Sequence, residues 1–258
     1  MNRTKLKAAV AASLVIGLVS ASGCIIRREP VDEPASSRTQ RTTESVALGS
    51  AKSAMIDVSM GAGELAVEAA DLTDATETRV LDGTFTFAPA QIEPIVTSEA
   101  AADPDVLEVQ VTQPDIREFD ILGRNVSNRW DLKLNRAVPC DLRVALGAGE
   151  AKLDLAGLDA GDLNLDMGAG DLELDLTGPR TRDLGARISA GVGRVEVTLP
   201  QDVGVRVSGR QDGLGDWSYD GFTVDGAYLV NDAYGTTPYS IELDIQRGIG
   251  EVVLQLED

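Results

Sequence analysis

Five segments of this chain align on a Gly-x-Gly: Gly61-Ala-Gly-Glu-Leu-Ala-Val-Glu-Ala69, Gly147-Ala-Gly-Glu-Ala-Lys-Leu-Asp-Leu155, Gly168-Ala-Gly-Asp-Leu-Glu-Leu-Asp-Leu176, Gly191-Val-Gly-Arg-Val-Glu-Val-Thr-Leu199 and Gly248-Ile-Gly-Glu-Val-Val-Leu-Gln-Leu256. In each, the second, fourth and sixth residues after the second glycine are apolar or Ala, and those between are mostly polar. Alternation with period two describes a strand with one buried face. The three middle copies start 21 and 23 residues apart, and Gly161-Asp-Leu-Asn-Leu-Asp-Met167 repeats the alternation half a period out of phase. A unit of about 21 residues with two short strands is one coil of a β-solenoid, each strand lying on one of two opposed sheets. The pattern therefore predicts an all-β fold, with a meandering β-sandwich as the alternative that periodicity leaves open.

Stacking by one coil makes specific neighbours. Lys152 falls beside Glu173, a favourable pair, while Glu150 falls beside Asp171 and Asp154 beside Asp175, which repel. Glycine is expected where the chain turns a corner, or where adjacent coils leave no room for a Cβ.

The N-terminus reads differently. Arg3, Lys5 and Lys7 precede the apolar and small-residue run Ala8–Ser22, which ends in Ala21-Ser22-Gly23 before Cys24. That is the anatomy of a secretory signal. Ala21-Ser22-Gly23-Cys24 also resembles the lipobox of bacterial lipoproteins, which implies cleavage after residue 23 and acylation of Cys24. The alternative is an uncleaved membrane helix, since residues 8–26 carry no charge and barely suffice to span a bilayer. Five Ser and Gly residues weaken that reading. Residues 24–48, rich in Pro, Ser, Thr and charge, read as a flexible tether. The expected organisation is a signal peptide over 1–23, a lipid-anchored tether over 24–48, an N-terminal β region over 49–136 and solenoid repeats over 137–258. Ile25 directly follows the cysteine, so the Asp that retains lipoproteins in an inner membrane is absent, and a Gram-negative host would place the chain in its outer membrane.

Loss of residues 1–23 moves the formal charge from −19 to −22. So acidic a surface repels phosphate backbones and anionic headgroups and favours a protein partner with a basic face. There is no histidine, which excludes Ser-His-Asp and Cys-His mechanisms and nearly all catalytic zinc sites. Cys140 shares the phase of Leu142, Val144 and Leu146, so it is expected in the core and not as a nucleophile. No glycine pair completes G-x-G-x-x-G or G-K-[ST], and each opens a strand instead of a helix, so nucleotide binding is not expected. The carboxylates Asp154, Asp166, Asp171, Glu173 and Asp175 lie on the polar phase. They fit a solvated face better than a calcium ladder, whose repeat has a nine-residue period. No cofactor and no metal are expected, and no enzyme.

Trp130-Asp-Leu-Lys-Leu-Asn135, Val138-Pro139, Asp141-Leu142, Gly147-Ala-Gly149, Gly168-Ala-Gly170, Leu199-Pro200, Gly221-Phe222, Tyr228-Leu-Val-Asn231, Tyr234 and Gly248-Ile-Gly250 together resemble the toast-rack β-solenoid family. They also resemble the related C-terminal domain of LiaF-type proteins, which respond to cell-wall-active antibiotics. The resemblance covers about residues 50–256 and implies an extracytoplasmic β-solenoid, with a link to envelope-stress sensing. Two kinds of function follow as expectations. The first is a non-catalytic scaffold whose contact surface includes Asp154, Asp166, Glu173 and Asp175. The second is a glycan or small-ligand module using the aromatic cluster at 217–239, with Trp217, Tyr219 and Phe222 stacking the ligand. Six of the ten aromatic residues lie there, and the same rings could instead close the end of the solenoid.

Overall fold

The computed structural model describes residues 38–114, 126–209 and 213–257. With strands numbered in chain order, β2 (Ser53–Ala70), β7 (Cys140–Asp154), β8 (Ala160–Asp175), β9 (Leu184–Pro200) and β14 (Ser240–Glu257) lie side by side in that order, all parallel. Each carries its Gly-x-Gly at the middle. Leu146 and Ala151 are both buried in the same core although they stand five positions apart. In a flat strand an odd separation puts side chains on opposite faces, so the chain must fold over between them. Gly147-Ala148-Gly149 is that corner. One half of each strand forms one wall, the other half forms the second, and a turn such as Ala156–Asp159 returns the chain to the next coil. The parallel register decides for the solenoid over the sandwich.

Two properties of the corner demand glycine. The second glycine of each pair has left-handed or near-extended positive φ, +135° at Gly149 and +131° at Gly170. The coils also touch there: a Cβ on Gly170 would sit 1.8 Å from the Gly149 carbonyl oxygen, and one on Gly168 would sit 2.3 Å from that of Gly147.

The core is built of stacked columns, such as Val58, Val144, Leu165, Ile188 and Ile245 on one wall and Val67, Leu153, Leu174, Val197 and Leu254 on the other. Each fully buried branched side chain contributes about 1.5–3 kcal/mol of transfer free energy. The outward register matches the alignment: Glu150 opposes Asp171, Lys152 opposes Glu173 and Asp154 opposes Asp175.

At each end the two walls are extended separately. Beyond β2, the first wall continues through β5 (Val106–Thr112) and β4 (Ile95–Ala100), and the second through β6 (Ser127–Asn135), β3 (Arg79–Ala88) and β1 (Gln40–Ala47). Phe85 and Trp130 plug this end edge to face, centroids 5.6 Å apart. The Trp130 indole donates to Asn128, whose amide donates to the Ala62 carbonyl at 2.8 Å. Beyond β14, the first wall continues through β10 (Gly204–Ser208), β13 (Tyr228–Val230) and β12 (Thr223–Asp225), and the second through β11 (Trp217–Tyr219).

Two expectations about organisation need correction. The tether was expected to reach residue 48, yet Gln40–Ala47 is a strand paired with β3. It is mostly exposed, and only Val46 enters the core, so it was invisible to hydrophobic patterning. Its backbone bonds to β3 hold it. The boundary at 136/137 is no domain border: β2 pairs with β7 from Ala54 to Glu68, and the described residues form one compact unit. The signal peptide, Cys24 and residues 24–37 lie outside the described residues.

Candidate interaction surfaces

The strand halves after the corner present the second wall outward. Lys152 bridges to Glu173 at 2.9 Å, and hydrogen bonding to Glu173 raises the Lys152 ammonium above its ordinary range. Asp154, Glu173 and Asp175 line one shallow hollow of about 310 Å³ with Glu196 and Thr198. Only one lysine serves these four carboxylates within the hollow, so its field is negative. Arg194 tempers one edge, reaching Glu196 at 3.0 Å and Glu251 at 3.6 Å.

Asp166 does not join them. It precedes its corner instead of following it, so it faces outward from the first wall. There it borders a groove of about 1230 Å³ that runs along the glycine corners past Ser59, Ser189 and Gln246. The period-two rule distinguishes inside from outside but not one wall from the other, and the corner lies between Asp166 and Asp171.

The middle residues of the corners form a further row that sequence reasoning passed over. Ala62, Ala148, Ala169, Val192 and Ile249 stand in register on successive coils, and Leu214 bridges to Ile249. All face solvent, with Leu214 70% exposed and Ile249 55%. The signal was present in the alignment, where every x of Gly-x-Gly is apolar.

Trp217, Tyr219 and Phe222 pack, half-buried, against the core together with Leu256. Arg247 lies under the Trp217 ring, 5.8 Å from its centroid. It occupies the inward position held by Met60, Leu146, Met167 and Ala190 in the other coils, and donates to the carbonyls of Gly215, Asp216 and Gly250. Its two terminal nitrogens thus replace the donors that a further coil would supply, while the buried Nε has no partner among the described residues. The other aromatics remain open: Tyr228 is 40% and Tyr239 37% exposed, and Tyr228 and Tyr234 flank Arg206.

Cys140 is buried. Desolvation pushes its thiol up to about 12, with Arg182 opposing and Asp141 and Asp159 adding to the rise, so at neutral pH it is a protonated core residue. Among the described residues no group of three or more His, Cys, Asp or Glu is placed to hold a metal ion, and no helix is long and apolar enough to cross a membrane.

Comparison with known proteins gives the setting. The family model described as the N-terminal domain of toast_rack, DUF2154, matches residues 35–198. The crystal structure of a candidate cell adhesion protein from Clostridium sporogenes is similar at 25% identity and a TM-score of 0.76, covering 85% of this chain and all of that one. A candidate adhesin from Bacteroides fragilis covers 83% of this chain and 97% of its own at 9% identity and a TM-score of 0.25. A candidate lipid binding protein from Parabacteroides distasonis covers 85% and 97% at 8% identity and a TM-score of 0.27. No curated protein matches the chain.

Proposed function

Since the chain belongs to the family of the N-terminal domain of toast_rack, we propose that it acts outside the cytoplasm as a non-catalytic interaction module. The observation that carries this reading is the match, over 85% of this chain and all of the other, to the Clostridium sporogenes protein described as a candidate for cell adhesion. Extended parallel ladders suit such work, because every coil adds outward side chains at fixed spacing without altering the core.

The finer reading adds an anchor and a face. Cys24, following Ala21-Ser22-Gly23, carries the lipid that holds the chain at the membrane. Two or more acyl chains give stable attachment where one does not. Residues after it then display the solenoid, in the outer membrane if the host is Gram-negative, and envelope-stress sensing is one setting for the contact. The contact face is the acidic second wall around Asp154, Glu173 and Asp175, and the partner is an envelope protein with a basic face. Charges at such a rim act on association rate and salt dependence, over a Debye length of about 8 Å at physiological ionic strength.

In-cell crosslinking tests this. Asp154→Asn, Glu173→Gln and Asp175→Asn combined are expected to abolish the crosslinked band while the far-ultraviolet circular dichroism stays β-rich. Asp166→Asn, on the other wall, is expected to leave the band intact. A band that survives the triple variant would remove the acidic wall from the interface.

A further inference from the structure

Arg206 on β10 stands between two tyrosines, its Cζ 4.8 Å from the Tyr228 ring centroid and 5.6 Å from that of Tyr234. Glu242, directly across the ladder from Arg206, accepts from Arg206 Nε at one oxygen and from the Tyr234 hydroxyl at the other, the latter at 3.0 Å. The guanidinium is thereby fixed in plane. Its two terminal nitrogens make no hydrogen bond to the described residues, so a rigid fork of donors is left at the surface.

Beside the fork, Asp244 is held in place by the Ser208 hydroxyl at 2.9 Å and the Gln246 amide at 3.1 Å, and is paired with Arg187 at 3.5 Å. Arg206, Ser208, Tyr228, Glu242 and Asp244 line one hollow of about 310 Å³, at the small end of ligand sites. Closing the first wall does not require Tyr228: its neighbour Leu229 is fully buried and fills the core. Tyr228 instead stays 40% exposed, with the Arg206 guanidinium over its ring and the rest of the side chain facing solvent.

The geometry points to a binding site for a single neutral sugar ring, with Tyr228 as its stacking platform and Arg206, Glu242 and Asp244 as its hydrogen-bonding groups. The lining combines one guanidinium with two carboxylates, so it offers donors and acceptors side by side. An anion meets Glu242 and Asp244, and a cation meets Arg206. An apolar ligand would strand the charged groups. Vicinal hydroxyls both donate and accept, and the apolar face of a pyranose matches an aromatic ring. This site is separate from the acidic wall and does not rest on that reading. It also differs from the stack expected at Trp217, Tyr219 and Phe222, whose rings are engaged with the core.

The test is saturation-transfer NMR and calorimetry on the full chain. The probes are methyl β-glucopyranoside, methyl β-galactopyranoside and N-acetylglucosamine, with glucuronate and glucosamine as charged counterparts. At least one neutral sugar is expected to bind, more tightly than either charged one. Tyr228→Ala is expected to weaken it roughly five- to ten-fold with the β-rich circular dichroism spectrum retained, and Tyr228→Phe to leave it little changed, because the ring and not the hydroxyl does the stacking. Absence of binding by all three neutral sugars, tighter binding of a charged one, or binding indifferent to Tyr228→Ala would each overturn the proposal.

Discussion

Replacing glycine by alanine at three positions separates backbone strain from crowding between coils. At Gly157, φ is +66° and an added Cβ would meet nothing nearer than Pro179 Cδ at 3.9 Å, so only the left-handed backbone is penalised, by about 1–2 kcal/mol. At Gly168 no positive φ is at stake, but the Cβ would lie 2.3 Å from the Gly147 oxygen. At Gly170 both apply, with φ +131° and a contact of 1.8 Å to the Gly149 oxygen. A carbon rests no closer than about 3.3 Å to a carbonyl oxygen. The coils must therefore separate by roughly 1 Å at Gly168 and 1.5 Å at Gly170, stretching ladder bonds on both sides past useful length. Two ladder hydrogen bonds lost beside this exposed corner, where water can replace them, cost about 0.5–1.5 kcal/mol each. The expected order is Gly157→Ala at about 1 kcal/mol, Gly168→Ala at about 2 and Gly170→Ala at about 3 or more. For a domain of this size about 1 kcal/mol moves the melting temperature by 2–4 °C, so Gly170→Ala should melt roughly 10 °C low. Urea and thermal unfolding of the three variants measure this. A loss at Gly168 no greater than at Gly157 would refute the claim that close approach of the coils, and not turn geometry, selects these glycines.

Four further outcomes follow from named contacts. Leu174→Asp places a charge in a buried column and should cost several kcal/mol, whereas Asp175→Asn, which keeps an acceptor for the Thr177 amide and relieves Asp154, should cost less than about 0.5; equal melting shifts would show the phase to be wrong. A double-mutant cycle on exposed Lys152 and Glu173 should return no more than about 1 kcal/mol, and a larger coupling would mean the wall is less solvated than described. Cys140 should resist iodoacetamide at pH 8 in the folded chain and react in urea; because its folded value of about 12 lies above the 9.0 of a free thiol, the stability it contributes is complete below pH 9 and falls as pH rises from there toward 12. Cys24→Ala should eliminate incorporation of labelled fatty acid, and undiminished label would dismiss the lipid anchor.

Much of the fold was legible because inward and outward residues alternate strictly. The columns through Leu153 and Leu174, the burial of Cys140 and the pairing of Lys152 with Glu173 all follow from aligning the corners. What was lost lies where that signal is short or silent. β1 buries only Val46, and β11, β12 and β13 are three residues each, too brief for any period to register. Which wall a side chain joins depends on its side of the corner, so Asp166 was grouped with carboxylates it never meets. The meeting of Arg206 with Tyr228 and Glu242 arises from pairings between distant segments that a local pattern does not encode.

Because each coil rests only on its two neighbours, length is a free variable of this architecture. Inserting or deleting one unit of 21–23 residues between the same two ends would move those ends apart or together by one strand spacing, about 4.8 Å, and leave both closures chemically as they were. Selection can therefore set how far apart the two ends stand, coil by coil, like links in a spacer, without redesigning either closure.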